Sequence, residues 1–250
     1  MGLRWDILAG YGPLFLSGLL TTIELTVVSI VAGLILGMLL GLVSSSRDAP
    51  KAKQPLVAAA VLLSRGVTSA YVTFFRGTPL FVQILLVHFA VMPALIHPDT
   101  GLLLDGPAAR DFRQSHGAFF SGALALTLNA GAYISEIFRA GIQSIHQGQT
   151  QAAYSVGLTH AQAMRFVVLP QAFRRMMPAL VNEGITLIKD SSLVSAIGLA
   201  ELALAARTVA GAYSRYWEPY LAISALYLLL TLSLSLLARR LEAPAHLRGR

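Results

Sequence analysis

The sequence predicts an all-α membrane protein with five transmembrane helices, and three observations predict it. Hydrophobic residues make up 55% of the 250-residue chain and charged residues 12%, whereas an ordinary soluble domain is about one quarter charged. The apolar residues gather in runs such as 14–43 and 220–238, long enough at 1.5 Å per helical residue to cross a hydrocarbon core of about 30 Å. These runs lack the dyad alternation of membrane-barrel strands, so helices must satisfy the backbone polar groups.

The first span is predicted at 14–43. It exceeds the core of a signal peptide and no small-residue cleavage site follows it, so it is expected to stay attached as a membrane helix. Gly33, Gly37 and Gly41 lie four apart in it, a spacing that lets another backbone approach that face. A polar segment at 44–54 carries Arg47, Pro50, Lys51 and Lys53. The apolar stretch 56–64 is too short to span and predicts an interfacial or extending helical turn. The second span is predicted at 70–92. Pro, Gly and Asp then crowd 93–116, which predicts a loop without a stable element. Spans three to five are predicted at 117–141, 176–199 and 217–238, all within one transmembrane domain covering 1–250. No fixed-period repeat or inverted pair of half-sequences stands out, which lowers the case for a self-contained secondary transporter.

Basic residues set the orientation. Arg47, Lys51, Lys53, Arg65 and Arg76 flank one connection, Arg139, Arg165, Arg174 and Arg175 another, and Arg239, Arg240, Arg248 and Arg250 the tail. By the positive-inside rule these three regions are cytoplasmic. The opposite connections mix acids with arginines, so the N-terminus is expected outside and the C-terminus in the cytoplasm. The net charge of +7 is thus a topology signal spread between apolar runs, and no nucleic-acid partner is expected.

Several chemistries are excluded. The chain has no cysteine, so disulfides, thiolate nucleophiles and thiolate metal sites are unavailable. It has no Gly-Lys dipeptide, hence no GxxxxGK phosphate cradle, and neither HExxH nor GxSxG occurs. An intramembrane enzyme using Glu24, Glu136 or His88 would lack an acid–base pair at catalytic spacing. No catalytic residue and no bound metal are expected.

Each of four spans carries one polar stripe at helical spacing: Ser17, Thr21 and Glu24; Asn129, Tyr133 and Glu136; Asn182, Thr186 and Lys189; Ser224, Tyr227 and Thr231. An ionisable group at mid-bilayer costs about 2 to 3 kcal/mol or more, so it faces a partner or a watery cavity. Stripes of carboxylates, an amine, amides and hydroxyls can line a solvated path suited to a small zwitterion. The alternative is that they only hydrogen-bond between helices. Lys189 and Asp190 are adjacent where the fourth helix is expected to loosen, and can neutralise each other or meet solute. His88 reads as a satisfied interior group.

The connection 142–175 is the most informative stretch. Thr150 to Val156 predicts a short helix with Ala152, Ala153 and Val156 on one face, ended by Gly157 in a left-handed cap. Thr159 and Gln162 fit a capping box that starts a second helix, and Leu169 with Pro170 is expected to bend or break it. The result is a cytoplasmic helix-turn-helix, serving either to dock a cytosolic partner or merely to connect two spans.

The segment QTQAAYSVGLTHAQAMRFVVLPQA at 149–172 resembles the EAA loop of ABC importer permeases, with Ala152, Ala153, Gly157, Leu169 and Pro170 matching its signature. FFRGTPLFVQ at 74–83, AYISEIFRAGIQSI at 132–145 and LVNEGITLIKDSSLVSAIG at 180–198 resemble blocks of the permeases for polar amino acids, in the same order and spacing. The resemblance covers most of the chain. It implies a type I ABC importer permease fold in the inner or plasma membrane and a second permease copy or paralogue. It also implies two ATP-binding cassette ATPase subunits that bind the ATP, and an extracytoplasmic substrate-binding protein that delivers a polar amino acid. The subunit itself would need no cofactor. Gln151, Ala152, Ala153, Gly157, Leu158, Arg165, Leu169 and Pro170 would couple to the ATPases, while Thr21, Glu24, Gln83, Asn129, Tyr133, Glu136, Asn182, Glu183 and Lys189 are the pathway candidates. Gln151 stands where the signature has an acid, which implies weaker coupling or a paralogue bearing the acid, and 93–116 is long for the family. The remaining readings are a permease for another small polar solute and a membrane scaffold or channel.

Overall fold

The computed structural model describes residues 2–45 and 55–246. The predicted polar segment around Arg47, Lys51 and Lys53, and the tail residues Arg248 and Arg250, lie outside the described residues. All regular elements among those described are helices, apart from one isolated bridge between Ile96 and Leu104. A 3-10 turn, Trp5–Tyr11, leads into α1 (Gly12–Ser45). Then follow α2 (Pro55–Gly77), α3 (Leu80–Leu86), a π turn Val87–Val91, and α4 (Met92–Leu95). After α5 (Gly106–Ser115) and α6 (Gly117–Gln143) come α7 (Gln147–Ser155), α8 (His160–Ala163) and a second π turn, Met164–Val168. The chain ends with α9 (Leu169–Asp190), a 3-10 segment Ser191–Ile197, α10 (Leu202–Tyr213) and α11 (Trp217–His246).

Among the described residues four helices are long and apolar enough to cross a membrane: Trp5–Ser44, Leu56–Gly77, Gly117–Gln143 and Trp217–Arg240. A fifth is obtained if His160–Ile197 and Leu202–Tyr213, bent by 51°, count as one span. The apolar window of α6 is 61% buried within the chain, against 11% for α2 and for α11. The core therefore gathers on α6, and α2 and α11 turn most of their surface outward.

Four expectations need correction. A continuous helix over 70–92 is broken at Thr78–Pro79. The Pro79 ring disfavours helical geometry at Thr78 and its nitrogen donates no hydrogen bond, which ends α2, and Pro79 itself is extended, with φ −64° and ψ 132°. The Gln83 N–H then bonds the Pro79 carbonyl at 3.2 Å and starts α3. Residues 56–64 are the first turns of α2, a 23-residue helix, rather than a separate element. The connection 93–116 holds a ten-residue helix, α5, with proline in its first turn and Ala109 fully buried. Proline marks turns, but its fixed φ also suits the first helical position, where no N–H is needed. Pro170 does not break the chain either. The carbonyl four residues before it belongs to Phe166, inside the π turn Met164–Val168, and the widened turn lets the helix continue from His160 to Ile197.

The chain forms two compact units. In the first (Met1–Val31, Pro79–Thr127, Gly184–Arg250), Leu202, Ala206 and Ile223 form a core against Phe15, Leu19 and Tyr227. Gly18 lets α1 lie on the Glu201–Leu202 backbone, where an added Cβ would come within 3.1 Å. In the second (Ala32–Thr78, Leu128–Glu183), Gly37 and Gly41 receive Ile134 and Phe138 of α6, so two of the three spaced glycines are close-approach positions. A Cβ at Gly37 would sit 2.6 Å from Ile134 and 2.9 Å from the Gly131 carbonyl, whereas one at Gly66 would meet nothing within 4 Å.

Gly37→Val is expected to destabilise the protein by about 1–3 kcal/mol through overpacking. Gly66→Ala is expected to be neutral. Thermal unfolding of both variants in detergent checks the contrast.

Candidate functional site

The loop between α6 and α9 is built by local turn chemistry. The His146 imidazole accepts the Gly148 N–H at 3.0 Å and caps α7. At the other end Gly157 takes φ +84°. The Gly157 N–H reaches the Tyr154 carbonyl at 3.0 Å and the Leu158 N–H reaches Ala153 at 3.1 Å, the paired bonds of a Schellman cap. Thr159 immediately opens α8: its hydroxyl accepts the Gln162 N–H, and the Gln162 amide oxygen accepts the Thr159 N–H at 2.8 Å. Both helices are thus closed around the three residues 157–159. Tyr154 and His160 bond across the turn at 2.8 Å.

Two further contacts seat the loop on α9. Gln171 donates to Gln149 at 3.4 Å, and Arg175 donates to the Ser144 carbonyl at 2.6 Å. Ala153 is buried, but Gln151, Ala152, Arg165 and Pro170 are exposed and Leu158 and Leu169 half-buried. Of the predicted face of Ala152, Ala153 and Val156 only Ala153 packs inward, and Val156 is 77% exposed. The single small residue at Ala153 packs inward while Tyr154, Val156 and Phe166 stay exposed. Sequence reading passed over Tyr154 and Phe166 and did not count Val156 among the coupling residues. The signal for a docking role of all three was bulky apolar side chains in a segment flanked by arginines.

The stripe Asn129, Tyr133, Glu136 is assembled against the end of α2, within the second unit. Asn129 is buried and donates to the Phe75 carbonyl at 3.2 Å. The Arg76 guanidinium lies 5.3 Å from the Tyr133 ring centroid and 3.5 Å from the Glu136 carboxylate. Arg139 grips the same carboxylate with two bonds, of 3.0 and 2.7 Å. Glu136 is held between two cations, with about a quarter of its side chain exposed. Chemically this is a carboxylate doubly paired in a cluster of net charge +1, with an open edge.

In the first unit the buried polar face of α1 is Thr22, Thr26 and Ser29. The predicted stripe lies elsewhere: Ser17 and Glu24 are exposed and Thr21 half-buried. A helix apolar all round offers no hydrophobic stripe to choose the buried face, so both polar rows fit the spacing. The Thr22 hydroxyl accepts the Leu202 N–H at 3.3 Å. Beside it, fully buried Glu201 accepts the Leu204 N–H at 2.9 Å, capping α10, and the Tyr227 hydroxyl at 2.7 Å. Tyr227 is thereby the one member of the fifth-span stripe with a partner outside its own helix among those the structure resolves for that stripe, Ser224 and Thr231 bonding back to carbonyls of α11. Glu201 was missed because it falls two residues beyond the predicted fourth span.

Gln83 is buried in α3, Asn182 and Lys189 are exposed on α9, and Glu183 is half-buried. The fourth helix loosens where expected: α9 ends at Asp190 and a 3-10 segment leads to Gly198 at φ +86°. His88 is partnered, its Nδ1 lying 2.9 Å from the Ser121 hydroxyl. The structure gathers the third-span stripe into one cluster in the second unit and leaves Glu24, Asn182 and Lys189 exposed.

Comparison with known proteins places these features. Residues 56–244 match the family model described as binding-protein-dependent transport system inner membrane component. The chain is 35% identical over 230 residues to the arginine transport system permease protein ArtQ of Bacillus subtilis, covering 92% of this chain and 91% of the relative. It is 35% identical over 238 residues to the glutamate/aspartate import permease protein GltK of Escherichia coli, covering 95% and 96%. A solved amino acid ABC transporter crystallised with histidines superposes with TM-score 0.76 at 36% identity, covering 98% of this chain and 100% of that one.

Removing the second cap of the loop is expected to loosen it. Thr159→Ala costs about 1 kcal/mol of local stability, and amide hydrogen exchange over 147–168 is expected to accelerate roughly fivefold.

Proposed function

The chain belongs to the family of binding-protein-dependent transport system inner membrane components, and from that premise we propose that it is the permease subunit of an ATP-driven importer for a polar amino acid. The observation that carries the reading is the loop at 147–168, a doubly capped pair of short helices presenting Tyr154, Val156 and Phe166 outward. Two ATP-binding cassette ATPases grip this handle on each permease pair, through Gln151, Ala152, Ala153, Gly157, Leu158, Arg165, Leu169 and Pro170 together with the three exposed apolar residues. ATP binding closes the ATPases, the closure shifts the handle, and the bundle opens outward to take solute from an extracytoplasmic binding protein. Hydrolysis resets it. ATP is bound by the partner, and the permease needs no cofactor of its own.

Five crossings with the N-terminus outside and the C-terminus in the cytoplasm fit the helices. The crossings are α1, the bent path from α2 through α4, α6, the length from α8 through α9, and α11. Glu24, Asn182 and Lys189 are exposed in the single chain within helices of membrane-spanning character. A charge at that depth does not face lipid, so a second permease copy or paralogue covers it and completes a wet path. Thr21, Gln83, Asn129, Tyr133, Glu136 and Glu183 are the remaining pathway groups.

The solute class follows from the relatives. One is named for arginine and another for glutamate and aspartate, side chains of opposite charge, so the shared feature is an ammonium and a carboxylate on one carbon. A paired carboxylate such as Glu136, with Arg76 and Arg139 at hand, can exchange partners with both ends of such a zwitterion.

Gly157→Val forces a β-branched residue into a left-handed conformation. Solute-stimulated ATP turnover of the reconstituted complex is expected to fall about tenfold, the change that roughly 1.4 kcal/mol of strain produces, while the complex still assembles. Wild-type turnover would remove the handle from the mechanism. Because the chain is free of cysteine, orientation can be read from single introduced thiols. Leu102→Cys is expected to react with an impermeant maleimide from outside intact cells and Gln151→Cys only after permeabilisation. The reverse pattern would overturn the topology.

A further inference from the structure

We propose that the first unit carries a binding site for a phosphate-class oxyanion, supplied by the headgroup of an anionic phospholipid. A cavity of about 300 Å³ opens between α5 and the apolar helix Leu80–Leu95, lined by His88, Met92, Pro98, Arg110, Arg113 and Gln114. Arg110, Arg113 and Gln114 stand at i, i+3 and i+4 on α5, so all three project from one helical face. Two guanidiniums and an amide supply many N–H donors and two fixed positive charges. No carboxylate is in the lining. Asp99 instead lies by His97 at 3.9 Å, and Asp105 and Asp111 are outside the cavity wall. Neither Arg110 nor Arg113 makes an ion pair among the described residues. The His88 Nδ1 is already engaged with Ser121.

Planar guanidiniums pair bidentately with phosphate and carboxylate oxygens, and a cavity of about 300 Å³ accommodates such a group. Position selects between the two sources. The cavity sits where two apolar helices end their apolar length, at Met92 near the close of Leu80–Leu95 and Gly117 at the opening of α6. The same connection turns Leu102 and Leu103 outward, 79% and 73% exposed. Exposed apolar side chains on the same connection as two guanidiniums, at the end of membrane helices, can bury an acyl chain while the guanidiniums meet its headgroup. A water-borne anion would need the arginines but not the leucines.

The test uses the full-length permease in lipid nanodiscs and in detergent. Lipid retained through exchange into phosphatidylcholine is measured by native mass spectrometry for wild type, Arg110→Gln/Arg113→Gln, and Leu102→Ser/Leu103→Ser, with inorganic phosphate titrated calorimetrically in detergent as the second arm. Wild type is expected to retain phosphatidylglycerol, the arginine pair to weaken retention about thirtyfold, and the leucine pair to weaken it without changing affinity for inorganic phosphate. Arginine-dependent binding of inorganic phosphate with no retained lipid would overturn the lipid source. Equal retention and equal phosphate binding in wild type and the arginine variant would overturn the site. Unchanged helical content of both variants by circular dichroism keeps either outcome interpretable.

Discussion

Hydrocarbon offers no hydrogen bonds, and that constraint organises this molecule. Every backbone group in a crossing must find its partner inside the protein, so each break in a helix has to be answered by a specific side chain or a specific carbonyl. The interruption between the 3-10 segment and α10 shows the rule at work. The freed Leu202 N–H goes to the Thr22 hydroxyl and the Leu204 N–H to the Glu201 carboxylate, whose second oxygen takes the Tyr227 hydroxyl. Gly18 makes room for that backbone to lie on α1. Removing any one of these leaves an unpaired polar group in a buried place, which costs about 1–3 kcal/mol.

The same constraint separates the helices that only span from those that transmit. Proline at 79 ends one helix and starts another, whereas Pro170 is absorbed by a π turn and the helix runs on. The second outcome matters for function, because the capped loop at 147–168 is then joined to α9 without a hinge. In the proposed mechanism, a push on the loop would pass into α9 through continuous helix. Rigidity at Gly157 and continuity at Pro170 are the two features that proposal uses.

Much of this was legible in the residues, and the pattern of what was not is physical. The loop was readable because its caps are local: Gly157, Thr159 and Gln162 need only their own neighbours to act, and the Schellman bonds and capping box formed where the spacing placed them. Apolar runs were readable by length. The register of the second helix was not, since Leu56 to Ser64 and the residues after Pro79 are both apolar and only the backbone break distinguishes them. Nor was α5, whose Asp-Gly-Pro opening reads equally as a turn. Buried faces on α1 were ambiguous because a helix surrounded by apolar groups has no polar side to orient it, and Thr22 was passed over for its neighbour Thr21. Glu136 was singled out as costly; its partner Arg139 lies one turn further along the same helix, but Arg76 comes from a fold-dependent approach of α2, which spacing within one helix cannot reveal.

The central claim is that an external nucleotide-driven partner works the pore through the capped loop. The most direct measurement places a single thiol at Val156 in the cysteine-free chain and cross-links it, in working membranes, with and without a non-hydrolysable ATP analogue. The account predicts a covalent product with the ATPase subunit whose yield changes when the nucleotide is added. Absence of any ATPase product from a transport-competent Val156→Cys protein would contradict it.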